Sequence, residues 1–387
     1  VQHIYFDHNA TTPLAPEVLQ SLLAGMAEVY GNASSIHHFG QMAKQRLEAA
    51  RRQVAAHLGC DAREVVFTSG GTESDNLAMF GVARRAPGCH VITTAIEHPA
   101  VLNACAQLER EGYPVTYLRV ADSQSVQNAL RPNTALISVM HANNETGELQ
   151  PIAEIAAVAR AAQVSFHTDA VQTAGRIPLN VRELGVDLLS VSGHKFGAPK
   201  GIGALYVRKG VELQALLYGG RHERERRAGT ENVAGAAALA QALGLSAAWA
   251  RVAELRDHLE RNVLSQVAAA HVNGDPARRL PNTTNIRFDG IEGEAMVISL
   301  DLRGFAVSSG SACSSGAVEP SHVLLAMGLS PEDARSSVRF SLGPSNTKEE
   351  VNALIEAVVE SVAHLRRISA TFSATFSATF SKDPAHV

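Results

Sequence analysis

At 387 residues, the chain is long enough for two domains with a sizeable core. Its 45% hydrophobic and 19% charged residues are ordinary for a globular protein, and a formal net charge of −4 argues against a general nucleic-acid or membrane-surface binder. Cys60, Cys89, Cys105 and Cys313 show neither CxxC spacing nor the density of a secreted disulfide scaffold, and no signal segment or spanning apolar run is visible, so the expectation is a cytoplasmic protein with no membrane and no direct nucleic-acid partner.

In chain order, residues 41–58 are predicted to be a helix closed by Gly59, and 64–68 a strand feeding a glycine turn. Strands follow at 90–94, 115–118, 135–139, 164–168 and 188–192, with helical segments between them. That alternation implies an α/β fold with a mostly parallel, doubly wound sheet. From about Leu255 the texture changes to a smaller α+β region with strands at 283–288 and 337–342. The last helix starts at Thr347 with a capping box to Glu350 and carries Val351, Leu354, Ile355, Val358, Val359, Val362 and Leu365 on one face. The expected division is a large domain at 15–255 and a small domain made of 1–14 and 256–367. Residues 368–387 contain a tandem Ser-Ala-Thr-Phe repeat whose four-residue period fits neither a strand nor a sustained heptad, and are expected to form a flexible or partner-ordered tail.

The chemistry concentrates at strand ends. Val186-Asp187-Leu188-Leu189-Ser190-Val191 is the kind of apolar run that fills the middle of a parallel sheet, and a polar turn with Lys195 emerges at its carboxyl end. Ligands bind at that edge of open α/β sheets. A lysine partly desolvated there has its ammonium form disfavoured and can act as an amine nucleophile toward an aldehyde cofactor, pyridoxal phosphate first among the candidates. Residues 164–169 read as another buried strand, ending in Asp169, which could pair with a pyridinium nitrogen and make the ring an electron sink. Alone, a strand-end Asp caps the next helix and a lone Lys is solvated surface; two of them on two strand ends favour a site.

Gly70-Gly71-Thr72 lies between a strand and a helix, where backbone N–H groups and the Thr72 hydroxyl could hold a phosphate or serve only as turn and N-cap. Cys313 lies in Ser308-Ser309-Gly310-Ser311-Ala312-Cys313-Ser314-Ser315-Gly316, too small and polar to pack, so the reading is a mobile loop with a nucleophilic thiol rather than a buried small hydrophobe. His37 and His38 are adjacent rather than spaced for one helix face, and no metal site is expected. Glu223 and Glu225 interleave the arginines of 221–227, which reads as a solvated or subunit-facing loop.

Together with Asp7-His8-Asn9-Ala10-Thr11-Thr12, Tyr30-Gly31-Asn32-Ala33-Ser34-Ser35, Thr68-Ser69-Gly70-Gly71-Thr72-Glu73-Ser74, Glu97-His98-Pro99, Asn143-Asn144-Glu145-Thr146-Gly147 and Arg227-Ala228-Gly229-Thr230-Glu231-Asn232, these segments carry a resemblance. From Ile4 to about Arg367 the chain resembles the cysteine desulfurases of the NifS/IscS type, in the class V branch of fold-type I pyridoxal phosphate enzymes. The resemblance implies a pyridoxal phosphate-dependent transferase that converts L-cysteine to L-alanine. The sulfur would rest as a persulfide on Cys313 before transfer to an acceptor such as an iron–sulfur scaffold. It implies catalytic roles for Lys195, Cys313 and His98, the last stacking on the cofactor ring. Gly71, Thr72, Ser192 and His194 would bind the phosphate, with Thr230 reaching in from a second subunit of a homodimer. Asp169 would face the ring nitrogen, and Asn144 and Gln172 the phenolic oxygen. Asn32 and Arg339 would bind substrate, Arg339 clamping its carboxylate in a bidentate pair. The alternatives are an aminotransferase or selenocysteine lyase, which would share Lys195 and Asp169 without needing the loop cysteine in the same way, and a non-catalytic scaffold, which would be expected to have lost one of the two.

Overall fold

The computed structural model describes residues 3–245, 248–309 and 319–380, with only the backbone of 369–380, and the chain divides into two compact units. The larger comprises Asn9–Ala247 and Ala277–Leu280; the smaller comprises Val1–His8, Ala248–Pro276 and Pro281–Val387.

The larger unit is built on a seven-stranded sheet, in spatial order Val65–Thr68, Gly203–Val207, Leu188–Ser192, Ser165–Asp169, Thr134–Ser138, His90–Thr94 and Val115–Leu118. Gly203–Val207, which the sequence pattern did not single out, runs antiparallel to both its neighbours, and the other pairs are parallel. Because side chains alternate along a strand, consecutive apolar residues serve opposite faces. Ile137 and Leu189 join the core that contains Val54, Leu58 and Leu239, while Leu136 and Leu188 join the core of Leu77, Met79 and Val101. Helices cover both faces, so the central strands are buried on both faces, and their polar residues, such as His167 and Thr168, are buried with the apolar ones.

Helix His38–Leu58 begins three positions before the predicted start, because the His37 ring accepts a hydrogen bond from the Gly40 N–H (3.3 Å) and so acts as the N-cap. It ends where Gly59 turns left-handed at φ 71°, a conformation that glycine adopts without the Cβ penalty.

The smaller unit holds an antiparallel sheet in the order Ser337–Ser341, Thr283–Phe288, Ala270–Val272, and a parallel pair of Ile4–Tyr5 with Phe305–Ala306. Its core gathers Phe288 and Phe340 with Leu259, Met296, Leu354 and Val358 from the helices Trp249–Gln266, Gly293–Asp301 and Lys348–Phe380. The capping box forms as expected: Thr347 Oγ1 accepts from Glu350 N (3.2 Å) and Glu350 Oε2 from Thr347 N (3.0 Å). The helix then continues past Leu365, where its apolar face was expected to end, to Phe380. The repeats contain neither glycine nor proline to stop it.

Candidate active site

Lys195 closes a single tight turn, Gly193–Lys195, directly after the strand Leu188–Ser192 and before the antiparallel strand Gly203–Val207. Gly203 is required there: a Cβ would come within 2.7 Å of the Gly70 Cα, so the absence of a side chain lets the strand pack against the glycine turn. The lysine Nζ donates to the carbonyls of Asn9 (2.6 Å) and Ala10 (2.8 Å). Asp169 stands at the carboxyl end of the neighbouring parallel strand. Lysine and aspartate line one cavity of about 240 Å³, and among the residues predicted to hold the cofactor, Gly71, Thr72, His98, Asn144, Gln172, Ser192 and His194 line it with them.

Gly71 opens the helix Gly71–Ala83, preceded by Gly70 at φ 157°, ψ −172°, a region essentially confined to glycine. A Cβ on Gly71 would meet Val171 Cγ2 at 2.8 Å, so the first turn of the helix presents bare backbone to the cavity. The His98 ring accepts from Ala100 N (3.1 Å), so it caps the helix Pro99–Arg110 as well as facing the pocket. His194 Nδ1 lies 3.1 Å from Thr11 Oγ1. Burial, reinforced by Lys195, Lys200 and Arg176, pushes the His194 ring down to about 4, leaving it neutral at physiological pH.

Burial pushes the Asp169 carboxyl up, against the opposing pull of His98, the Val171 N–H (2.8 Å) and Lys195. Asp75, one helical turn beyond Gly71 and in the same cavity, is pushed well up by burial and then by Asp169. The site thus has a buried carboxylate whose charged form gains from any further cation. These features fit pyridoxal phosphate: helix N–H groups and hydroxyls suit a phosphate at one end, and Asp169 suits a protonated ring nitrogen at the other.

Thr230 and Asn32 are exposed and do not line this cavity; the Asn32 carboxamide accepts from Ser34 N (2.8 Å) within its own loop. Arg339 lies buried in the smaller unit, where Nη2 reaches Asp7 Oδ1 at 2.6 Å. Cys313 lies outside the described residues.

The sequence reading gave no role to three residues that organise the pocket. Asn9 accepts from Lys195 and from Gln172 Nε2 (3.1 Å) through its carbonyl, and its side chain donates to Asn144 O (3.1 Å). Arg176 is buried and donates to Asn9 Oδ1 (2.8 Å) and Gln172 Oε1 (2.6 Å), fixing the orientation of both amides. Asp75 could have been found by its spacing of one helical turn from Gly71 and Thr72.

The chain belongs to the class-V aminotransferase family, whose profile matches residues 4–354. It is 49% identical over 377 residues to a cysteine desulfurase of Trichormus azollae, covering 95% of this chain and 94% of the relative. It is 46% identical over 380 residues to the cysteine desulfurase IscS of Dictyoglomus turgidum, covering 95% and 96%. Among solved structures, a NifS-like protein superposes with a TM-score of 0.88 at 35% identity, covering 94% of this chain and 100% of that one. The fold is that of the fold-type I pyridoxal phosphate enzymes, and pyridoxal phosphate is the cofactor of this chain.

Proposed function

We propose that this chain is a cysteine desulfurase that takes the sulfur of L-cysteine onto Cys313 as a persulfide, releases L-alanine and passes the sulfur to an acceptor protein. The observation that carries the reading is the convergence of Lys195 and Asp169, from adjacent strand ends, on one cavity closed by a glycine turn. Relatives with cysteine desulfurase names, 46% and 49% identical over nearly the whole chain, supply the substrate.

Pyridoxal phosphate, when bound, withdraws electrons from the substrate and so loosens its α-proton and its carbon–sulfur bond. Gly71, Thr72, Ser192 and His194 would hold its phosphate, Asn144 and Gln172 its phenolic oxygen, Asp169 its ring nitrogen and His98 its ring face. Lys195 would anchor it, and its Nζ would serve as the base that moves the substrate's α-proton. Arg339 would hold the substrate carboxylate, and Asn32 is the other residue assigned to the substrate. The Cys313 thiolate attacks the substrate sulfur; the sulfur–sulfur bond forms as the carbon–sulfur bond breaks, and the carbon takes protons to become alanine. L-cysteine and a thiol give alanine and a persulfide, so no external oxidant or reductant is needed. Burial pushes up the thiols of Cys60, to about 12, and of Cys89 and Cys105, and none of the three lines the cavity, which supports the assignment of the nucleophile to Cys313.

We assign a homodimer in which Thr230 completes the partner's phosphate site. Its support is the exposed apolar stripe of Leu19, Leu23 and Met26 on helix Pro16–Glu28, continued by Tyr30, 70% exposed, and Ile36, 94% exposed. An iron–sulfur scaffold is the assigned acceptor and the cytoplasm the assigned compartment; among the described residues no helix is long and apolar enough to cross a membrane. The test is product analysis with L-cysteine and dithiothreitol. Sulfide and alanine in equal amounts are expected, and pyruvate with ammonia would make the protein a lyase instead.

A further inference from the structure

Glu223, Arg224 and Glu225 are three successive non-glycine residues in the left-handed region, at φ 45°, 57° and 66°. Such a run persists only where the surroundings over-determine it. Here the buried Glu223 carboxylate receives Arg51 Nη1 (2.6 Å), Arg51 Nη2 (2.7 Å) and the Phe67 N–H (3.0 Å). Arg51 also donates to Val65 O (2.9 Å) and lies over the Phe67 ring, 4.8 Å from its centre. The strained loop is thereby bolted to the strand Val65–Thr68, which leads into the glycine turn.

Beyond this anchor, Arg227 reaches that turn directly. Its Nε and Nη2 lie 2.8 and 3.4 Å from the two carboxylate oxygens of Glu73, and Glu73 Oε2 also accepts from the Ser69 N–H (2.8 Å). Glu73 stands in the first turn of the helix Gly71–Ala83 and shapes the turn through that bond. Burial pushes its carboxyl up, but Arg227 and Ser69 outweigh burial and hold it below the usual range, so it is ionised. A carboxylate is at home at a helix amino terminus, yet a phosphate drawn to the same terminus would be repelled by it.

We propose that Arg227 is a positioning residue for the cofactor phosphate: it cancels the Glu73 charge at the mouth of the helix while leaving Glu73 to hold the Ser69 N–H. This rests on the reading that the phosphate binds at Gly71 and Thr72. Apoprotein is titrated separately with pyridoxal phosphate and with pyridoxal, which lacks the phosphate, following visible absorption, and folding is monitored by thermal melting. Arg227→Gln should weaken pyridoxal phosphate by about tenfold and leave pyridoxal unchanged. The double variant Arg227→Gln with Glu73→Gln should recover most of that loss, and should fold even where the uncompensated single variant does not. Equal weakening of both ligands, or no recovery in the double variant, would reduce Arg227 to a structural role. Thr72→Val tests the underlying reading on its own: if it leaves the preference for pyridoxal phosphate over pyridoxal intact, the phosphate lies elsewhere, whatever Arg227 does.

Discussion

Ser308 and Arg339 exchange backbone hydrogen bonds, Ser308 N to Arg339 O at 3.2 Å and Arg339 N to Ser308 O at 2.6 Å. Ser308 enters the segment that carries Cys313, and Arg339 is the residue assigned to the substrate carboxylate. The reciprocal bonds tie the start of the segment proposed to carry the nucleophile to the residue proposed to orient the substrate, while Asp7 pairs with the same guanidinium.

Arg339→Ala removes the fork that pairs with a carboxylate, and the KM for L-cysteine should rise by about tenfold or more. Arg339→Lys keeps the charge without the fork and should fall between the two. Steady-state kinetics decides: a KM unchanged in both variants would leave Arg339 as no more than a partner for Asp7.

Purified protein should be yellow, and Lys195→Ala should lose the colour while still folding, a point checked by thermal melting. Borohydride reduction followed by peptide mapping should place the cofactor label on Lys195. A label on Lys200 or Lys209 would move the site.

Cys313→Ala should still bind L-cysteine, seen as a change in the visible spectrum, but should release almost no sulfide. On the proposed function, binding requires the cofactor and Arg339, whereas sulfur transfer requires the thiol. Unchanged sulfide production in this variant would remove the persulfide step and favour a selenocysteine lyase or β-lyase.

Glu97 is fully buried, its Oε1 accepting from Thr94 Oγ1 (2.6 Å) and Met140 N (2.9 Å), and burial pushes its carboxyl up to about 8. An unfolded glutamate loses its proton near pH 4.3, so the folded state holds a proton that the unfolded state has shed. This contribution to stability is full below about pH 4.3 and is lost as the pH rises through about 8. Glu97→Gln stays neutral and keeps an acceptor, and should flatten the fall in apoprotein melting temperature between about pH 5 and pH 8. Parallel curves for the two proteins would show that Glu97 is already ionised at neutral pH.

Truncation after Arg367 retains the buried Val351, Leu354, Val358 and Val362 and the bonds of Arg366 to Ala268 O (2.9 Å) and Asp289 O (3.2 Å). Far-ultraviolet circular dichroism should lose the signal of the helix beyond that point, while stability changes by no more than about 0.5 kcal/mol and sulfide release to dithiothreitol survives. A large fall in melting temperature would mean that the repeat packs on the enzyme.

Short runs rich in β-branched and apolar residues made the strands legible: 90–94, 188–192 and 283–288 are strands over the predicted residues. Gly203–Val207 escaped because its opening glycine, which packs against Gly70, reads as part of a turn. Lys195 and Asp169 stood out as ionisable residues at or just beyond the carboxyl ends of predicted buried strands. Asn9 and Arg176 did not, since they act across long sequence separation and through backbone carbonyls, for which a sequence carries no local mark.

The antiparallel placement of Gly203–Val207 also bears on how the site is assembled. A parallel neighbour would require a crossover of a dozen or more residues. Here the turn holding Lys195 is instead the tip of a pairing between consecutive strands, with Ser192 opposite Gly203 and Leu188 opposite Val207. Closing so short a loop costs little chain entropy, so the lysine's turn belongs to the contacts that can form early, whereas Asp169 joins through a parallel pairing that must close a longer one. During synthesis and refolding, the turn of Lys195 is therefore expected to take shape before Asp169 is brought beside it, and pulse-labelled hydrogen exchange would resolve the order.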